Sequence, residues 1–156
     1  ADTTIDPDGI APSSLLDDVR DSITTDPDTG IARQPLGLTD DTLYVESITR
    51  LSIFVEIRNL DVDASMESQI KSDIEDAIEI YLRLIAPYIP GLDPETERAD
   101  TITDLVLSRI VQDVVGSVGG SAQAVSFGLS SGTSISSYTL NPGELVKTGA
   151  VSYVTT

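Results

Sequence analysis

The sequence contains no cysteine and no histidine. Without cysteine there is no disulfide framework, no thiolate nucleophile and no cysteine zinc site, and without histidine there is no imidazole base and no usual transition-metal ligand. Serine is plentiful after Ser117, but no histidine or well-placed lysine can activate a hydroxyl. No run approaches the roughly 20 apolar residues of a bilayer span. These absences predict a protein that is not an enzyme.

Basic residues are also scarce. Seven Arg and two Lys stand against 18 Asp and eight Glu, and the formal net charge is -17. A field of this sign repels phosphate backbones and anionic lipid, so we expect neither a nucleic-acid nor a membrane partner. An excess of Asp with few Lys is also the composition of proteins that stay hydrated in concentrated salt, where screening acts within roughly 3 Å at 1 M. Salt adaptation and an ordinary acidic surface both remain open interpretations.

The length of 156 residues, of which 40% are hydrophobic, is typical of one domain with its own core. Residues 1–10 carry three Asp, a Pro and a Gly without periodicity, which predicts an extended arm. We therefore expect an arm at 1–10 and a single domain at 11–156.

Apolar residues recur at helical spacing in three segments of this domain. In the first segment Pro12 fits an opening turn, and Ser14 with Asp17 gives a capping-box pattern. The second segment runs from Met66 to Ile85 and follows Asp61 and Asp63, either of which suits an N-cap. The third begins with a second capping pattern, Thr101 with Asp104, and ends at Gly116. Its predicted inner face is carried by Ile102, Leu105, Val106, Ile110 and Val114, broadened by Leu107 and Val111.

Strand patterns lie on both sides of the two longer helices. Residues 43–58 alternate, with Val45, Leu51, Ile53, Val55 and Ile57 on one face. Strand-like runs follow at 122–129, 135–140 and 145–154, separated by Ser/Gly and Asn-Pro-Gly turns. The order predicts an α+β fold: a small sheet of about three to four strands, two main helices packed on one face, and a short N-terminal helix. The stripe on 66–85 and the odd-numbered face of 45–57 are expected to form the core.

Two Asp-rich turns superficially resemble the start of a calcium loop. They are Asp6-Pro-Asp8-Gly9 and Asp26-Pro-Asp28-Thr29-Gly30. An EF-hand loop needs a bidentate Glu at its twelfth position, but that position is Asp17 in one case and Gly37 in the other. The prediction is an Asp-Pro turn in each.

Other candidate motifs are equally weak. Acid pairs such as Asp73 with Glu75, or Glu95 with Glu97, are unavoidable among 26 carboxylates and favour a solvated face. The Gly-Ser-Val-Gly-Gly run at 116–120 lacks the Lys of a phosphate loop and follows a helix. We therefore predict no catalytic, cofactor-binding or metal-binding residues, no cofactor and no small-molecule substrate.

Several strings, taken in order, resemble the baseplate J-like family of contractile phage tails and related injection machines. The strings are APSSLLDDVRDSI at 11–23, RQPLG at 33–37, YVESITRLSIFVEI at 44–57, SQIKSDIEDAIEIYL at 68–82, TITDLVLSRIVQDVVGSVG at 101–119 and LNPGELVKTGAVSYV at 140–154. The last is the most telling, with Glu144 and Gly149 at matching positions. The fit covers roughly 11–154, the C-terminal part of a usual family member. The charged loop IPGLDPETERAD replaces the family's usual Gly-rich one.

This resemblance implies a structural role. Family members are wedge subunits that surround a central hub, pair with a second wedge protein and help to pass a signal to the contracting sheath. The expected partners are therefore other baseplate wedge and hub proteins, present in several copies, and the expected location is the virion tail after assembly in the host cytoplasm. The alternative is a secreted or surface binding module of a halophilic organism, with Asp-rich turns holding calcium or sugar. A carboxylate-pair hydrolase is the least favoured reading.

Overall fold

The computed structural model describes residues 10–26, 28–32, 43, 45–89 and 93–155. Its contacts divide the chain into two units, Ala1–Thr49 and Arg50–Thr156. The elements in chain order are α1 (Ser13–Thr24), β1 (Thr49–Arg58), α2 (Glu67–Leu84), a 3₁₀ turn (Glu95–Glu97), β2 (Thr101–Thr103), α3 (Asp104–Gly116), β3 (Ala124–Gly128), β4 (Ser137–Thr139) and β5 (Glu144–Val154). The predicted α+β fold is confirmed. The division into an arm at 1–10 and one domain at 11–156 stays a prediction.

The first unit contains α1, which begins at Ser13, two residues earlier than a cap at Ser14 predicts. Pro12 is the N-cap residue, and its carbonyl accepts the N–H groups of Leu15 and Leu16 at 3.0 and 3.2 Å. No side chain caps this end, so the predicted Ser14–Asp17 capping box is wrong. Proline at the N-cap places Ser14 inside the first turn, where its hydroxyl no longer faces the orphan N–H groups.

The main sheet of the second unit has three strands in the order β3-β1-β5. β1 and β3 are antiparallel, with Val55 opposite Phe127 and Arg58 opposite Ala124. β5 runs in the same direction as β1: its end lies beside the end of β1, where the Asn59 N–H donates to the Val154 carbonyl at 2.8 Å. Earlier in β5, Gly149 lies against Ser52 and Ile53 of β1. The long strand β1 is therefore central, and β3 and β5 are the edges.

A second, two-stranded sheet is formed by β2 and β4, with Ile102 opposite Tyr138. The sequence pattern predicted Thr101 as the cap of the third helix and Ile102 on its inner face, and both predictions are wrong. The cap is Thr103, whose hydroxyl accepts the Val106 N–H at 3.3 Å. Thr101 and Ile102 form a strand because β4, more than 30 residues later, supplies the partner backbone, and a nonlocal pairing leaves no mark in the local pattern.

One hydrophobic cluster joins the sheet to both long helices. The residues at its centre are fully buried: Ile53, Val55, Ile57, Ile74, Ile78, Leu82, Leu107, Val111, Val115 and Phe127. Burying one such side chain contributes roughly 1.5–3 kcal/mol. The prediction that the stripe on 66–85 and the odd-numbered face of 45–57 form the core is confirmed for Ile70, Ile74, Ile78 and Ile85 of the stripe and for Ile53, Val55 and Ile57 of β1. It is wrong for Met66, which is 42% exposed. Val45 lies outside β1, which begins at Thr49.

The predicted inner face of α3 needs correction. Leu105 is 75% exposed and Val106 37% exposed, while Leu107, Val111 and Val115 are buried. Val106, Ile110 and Val114 lie on the same broad apolar side of the helix as Leu107, Val111 and Val115, whereas Leu105 lies among polar residues. Spacing alone therefore does not fix the centre of the buried face. Packing against α2 and β3 selects the Leu107 face.

The start of α2 also differs from the sequence-based reading. Met66, not an Asp, is the N-cap residue, and no side chain caps the helix. Asp63 instead holds the preceding turn, because its Oδ1 atom accepts the Ser65 N–H at 2.8 Å and the Ser65 hydroxyl at 2.6 Å. These hydrogen bonds lower the Asp63 pKa. An Asx turn has replaced the expected N-cap.

Candidate interaction surface

The Asp26 turn uses its acidic side chain to hold its own backbone. The Asp26 Oδ1 atom accepts the N–H groups of Asp28 at 2.9 Å and Thr29 at 3.3 Å. The Asp26 N–H donates to the Ile31 carbonyl at 2.8 Å. The predicted Asp-Pro turn is thus built as an Asx turn. The Asp6–Gly9 turn lies outside the described residues.

Asp73 and Glu75, the first acid pair from the sequence, have different partners. Asp73 accepts a hydrogen bond from Gln69 at 2.7 Å, whereas Glu75 lies beside the Tyr153 hydroxyl at 3.5 Å. Of the second pair, Glu95 lies in the 3₁₀ turn, and the side chain of Glu97 lies outside the described part of the structure. Across 10–26, 28–32, 43, 45–89 and 93–155, no three acidic side chains gather in a group that could hold a metal ion. The Gly116–Gly120 run reverses the chain after α3, and the Gly120 N–H donates to the Val115 carbonyl at 3.1 Å.

Asp100 is the one buried charged residue of the part that the structure describes, with 2% of its surface exposed. The Arg98 Nε atom donates to both of its carboxylate oxygens, at 2.9 and 2.8 Å, and the Thr101 hydroxyl donates at 3.2 Å. The bond from Arg98 outweighs the cost of burial, so the Asp100 pKa lies below its usual value. The Asp100 carbonyl accepts the Leu140 N–H at 2.9 Å. These bonds connect the loop between α2 and β2 to the turn between β4 and β5.

Arg98 also lies over the Tyr88 ring, with its guanidinium carbon 5.1 Å from the ring centre. The two side chains line an open cleft of about 350 Å³ together with Pro87, Ile89 and Pro94. Both Asp100 and Tyr88 engage the guanidinium, which neutralises it locally. The arrangement is that of a structural tether.

Glu144, a position singled out by the family resemblance, anchors the turn between β4 and β5. Its Oε2 atom accepts the Asn141 N–H at 2.8 Å, the Asn141 side-chain amide at 3.1 Å and the Tyr138 hydroxyl at 3.0 Å. Burial disfavours the carboxylate, but these bonds together outweigh it and lower the Glu144 pKa. Burial, helped by Glu144, raises the Tyr138 pKa. The side chain fixes the direction in which β5 starts.

The β3 edge of the main sheet is closed by the chain itself. The Ile135 N–H donates to the Phe127 carbonyl at 2.8 Å and forms an isolated bridge with that strand. Thr133 lies directly against Gly128: a side-chain carbon added to the glycine would come within 2.4 Å of the Thr133 carbonyl oxygen. Only glycine allows this approach. The loop at 129–134 thus occupies the space that another strand would need.

The β5 edge is different. β5 is the last strand in the order β3-β1-β5, and within the described ranges no strand pairs with its outer side. Gly149, Ala150, Ser152 and Val154 are exposed. The last seven residues of β5, Thr148–Val154, contain neither proline nor a charged side chain. Proline and charged side chains are the residues that usually protect an edge strand from pairing. An edge of this kind can pair with another strand.

The helix beside this edge is acidic. α2 packs against β5, and it carries five carboxylates and two cations. Lys71 pairs with Glu67 at 2.5 Å and lies over the Tyr153 ring at 4.8 Å, and Arg83 pairs with Glu79. The Tyr153 hydroxyl donates to the Lys71 carbonyl at 3.1 Å. Burial, followed by the nearby Glu75 charge, raises the Tyr153 pKa.

We call Thr148–Val154 with the adjacent Glu75 flank of α2 the β5 surface. It offers backbone hydrogen-bonding groups, small exposed side chains and the negative charge of Glu75. The sequence alone did not locate the β5 surface, because the order of strands in a sheet cannot be inferred from the pattern of a single strand.

No known protein family matches the chain, and no curated protein does so. Among the described residues no helix is long and apolar enough to cross a bilayer.

Proposed function

We propose that this protein is a structural component of a contractile tail baseplate, a wedge subunit that acts through protein–protein interfaces. The proposal starts from the ordered strings that resemble the baseplate J-like family. The observation that carries it is the form of the most telling string, LNPGELVKTGAVSYV at 140–154.

That string folds as one turn-and-strand unit. Glu144 holds the turn through three hydrogen bonds. Gly149 fits against β1, where an added side-chain carbon would meet the Ser52 side chain at 3.1 Å and the Ile53 carbonyl oxygen at 3.2 Å. The two residues at the family-matching positions therefore both position β5, the strand with the open edge. A subunit that works by docking needs such a presented strand.

The charge of -17 bears on the partners. Several copies of so acidic a chain repel one another unless salt screens them or less acidic subunits lie between them. We therefore expect a wedge or hub partner with a basic contact surface. This is consistent with an assembly of different proteins in several copies.

The proposal is tested in the parent particle. An epitope is inserted into the exposed turn at 117–119 and labelled with gold-tagged antibody for electron microscopy. We expect label at the tail tip, and we expect particles from which the chain has been deleted to lack functional baseplates. Normal, infectious particles after deletion, or label absent from the tail, would overturn the proposal.

The alternative binding module with calcium-holding turns gains no support from Asp26. A calcium ion there would compete with the two backbone N–H groups that its carboxylate accepts. Calcium titration followed by calorimetry and thermal unfolding distinguishes the two functions, since the baseplate proposal expects neither heat nor a stability shift.

A further inference from the structure

We infer that the β5 surface binds an extended, basic segment of another protein, which adds to the main sheet as a fourth strand beside β5. The inference rests on the proposed function only for what that other protein is, a neighbouring structural subunit. The binding geometry follows from the sheet itself.

The backbone of β5 supplies the hydrogen-bonding groups. The Val154 carbonyl accepts the Asn59 N–H, so the polar backbone groups of Val154 face β1. Successive residues in a strand direct these groups to opposite sides, and therefore those of Val151 and Tyr153 face away from β1. Among the described residues no strand pairs with this side of β5.

The two sheet edges differ in a way that favours β5 alone. The Ile135 bridge to Phe127 and the Thr133 contact with Gly128 cover the last two residues of β3. Within the described residues of the second unit no strand pairs with the outer side of β5, and Thr148–Val154 contains no proline and no charged side chain. Edge strands without such protection are the usual templates for strand addition.

Charge selects the kind of segment. α2 lies against β5 and carries three more carboxylates than cations, and Glu75 lies within 3.5 Å of the Tyr153 hydroxyl. Residues 50–156 as a whole carry 15 acidic and seven basic side chains. A second copy of this chain would bring the same negative charge to the contact, whereas a Lys- or Arg-bearing segment complements it.

The test uses a capped peptide of about ten alternating Lys and Val residues, a typical strand length. The control peptide has Glu in place of each Lys. Binding to the folded chain is measured by fluorescence anisotropy at low salt. We expect the basic peptide to bind at least about tenfold more tightly, with the difference shrinking toward 1 M salt. Equal binding of the two peptides would overturn the charge argument.

A pair of variants tests the edge. Val151→Ala and Val151→Pro both replace the valine side chain, but only proline removes the outward N–H. We expect the basic peptide to bind Val151→Pro about tenfold or more weakly than Val151→Ala. Circular dichroism checks that both variants fold. Equal affinity for the two folded variants would refute strand addition at β5.

If Val151→Pro does not fold, hydrogen exchange on the unaltered protein decides. The basic peptide should slow exchange at the Val151 and Tyr153 amides, and unchanged exchange would exclude the proposed pairing. Sedimentation tests whether the chain pairs with itself. Self-association that persists in Val151→Ala but is abolished in Val151→Pro would show that β5 pairs with a second copy of this chain, and would refute the proposal of a basic partner. If the protein localises to the tail tip but binds no peptide, only this inference is refuted. If it binds the peptide but is absent from tails, only the proposed function is refuted.

Discussion

Replacing Gly128 by alanine is expected to break the closure of the β3 edge. A carbon added at this position would lie 2.3 Å from the Thr133 hydroxyl oxygen, 2.4 Å from its carbonyl oxygen and 2.9 Å from its carbonyl carbon. A side chain could rotate away, but two of these atoms belong to the backbone. The loop at 129–134 must therefore move by about 1 Å, and overpacking of this kind costs about 2–3 kcal/mol of unfolding free energy. For a domain of this size that is a fall in Tm of about 10 °C.

Two other glycines provide matched controls. Gly116 has a negative φ and no atom within 4 Å of an added carbon, so Gly116→Ala should leave stability unchanged or raise it by up to about 1 kcal/mol. Gly119 has equal space but a φ of +76°, so Gly119→Ala should cost about 1 kcal/mol from backbone conformation alone.

Urea titration followed by far-ultraviolet circular dichroism measures all three variants, because the chain has no tryptophan to report by fluorescence. The loss should be largest for Gly128→Ala. That variant should also aggregate more readily, because the loop that covers the β3 edge is displaced. A Gly128→Ala protein within about 0.5 kcal/mol of the unaltered chain would refute the steric reasoning.

Three further predictions concern charge and hydrogen bonding. Asp100 has a folded-state pKa below its ordinary value of 3.8. Its contribution to the free energy of unfolding is therefore fully present above pH 3.8 and is lost as the pH falls through the lower pKa of the folded state. Asp100→Asn should destabilise the protein at pH 7 and make its stability fall less steeply with acid. Asp113→Asn, at a side chain 74% exposed, is the control, and equal curves would refute the assignment. Tyr153→Phe should cost about 1 kcal/mol by removing the bond to the Lys71 carbonyl, and an unchanged urea midpoint would contradict it. If the acidic composition is salt adaptation, Tm should rise between 0.1 and 1 M potassium chloride as the screening length falls from about 10 to about 3 Å; no rise would favour an ordinary acidic surface.

The sequence predicts α2 and β1 well because each buries one clear face. Ile70, Ile74 and Ile78 follow the helical period, and the odd-numbered residues of β1 follow the strand period. Leu82 continues the buried stripe of α2. It lies four residues after Ile78, as the same helical spacing requires.

The features that position the candidate surface depend on contacts between distant residues. Thr101–Thr103 forms a strand only because β4 pairs with it, and the β3 edge is closed only because Ile135 returns to Phe127. The buried pairing of Asp100 with Arg98 likewise requires the loop to fold back on the C-terminal strands. Local propensity contains none of this information, since each contact is fixed by packing of the whole sheet.

The most direct test of the central claim is a cryo-electron microscopy map of the parent particle at a resolution that traces side chains. The proposed role predicts density for residues 50–156 in several copies around the tail axis, with a basic segment of another subunit alongside Thr148–Val154. A map in which the tail tip is complete without this chain would contradict the claim.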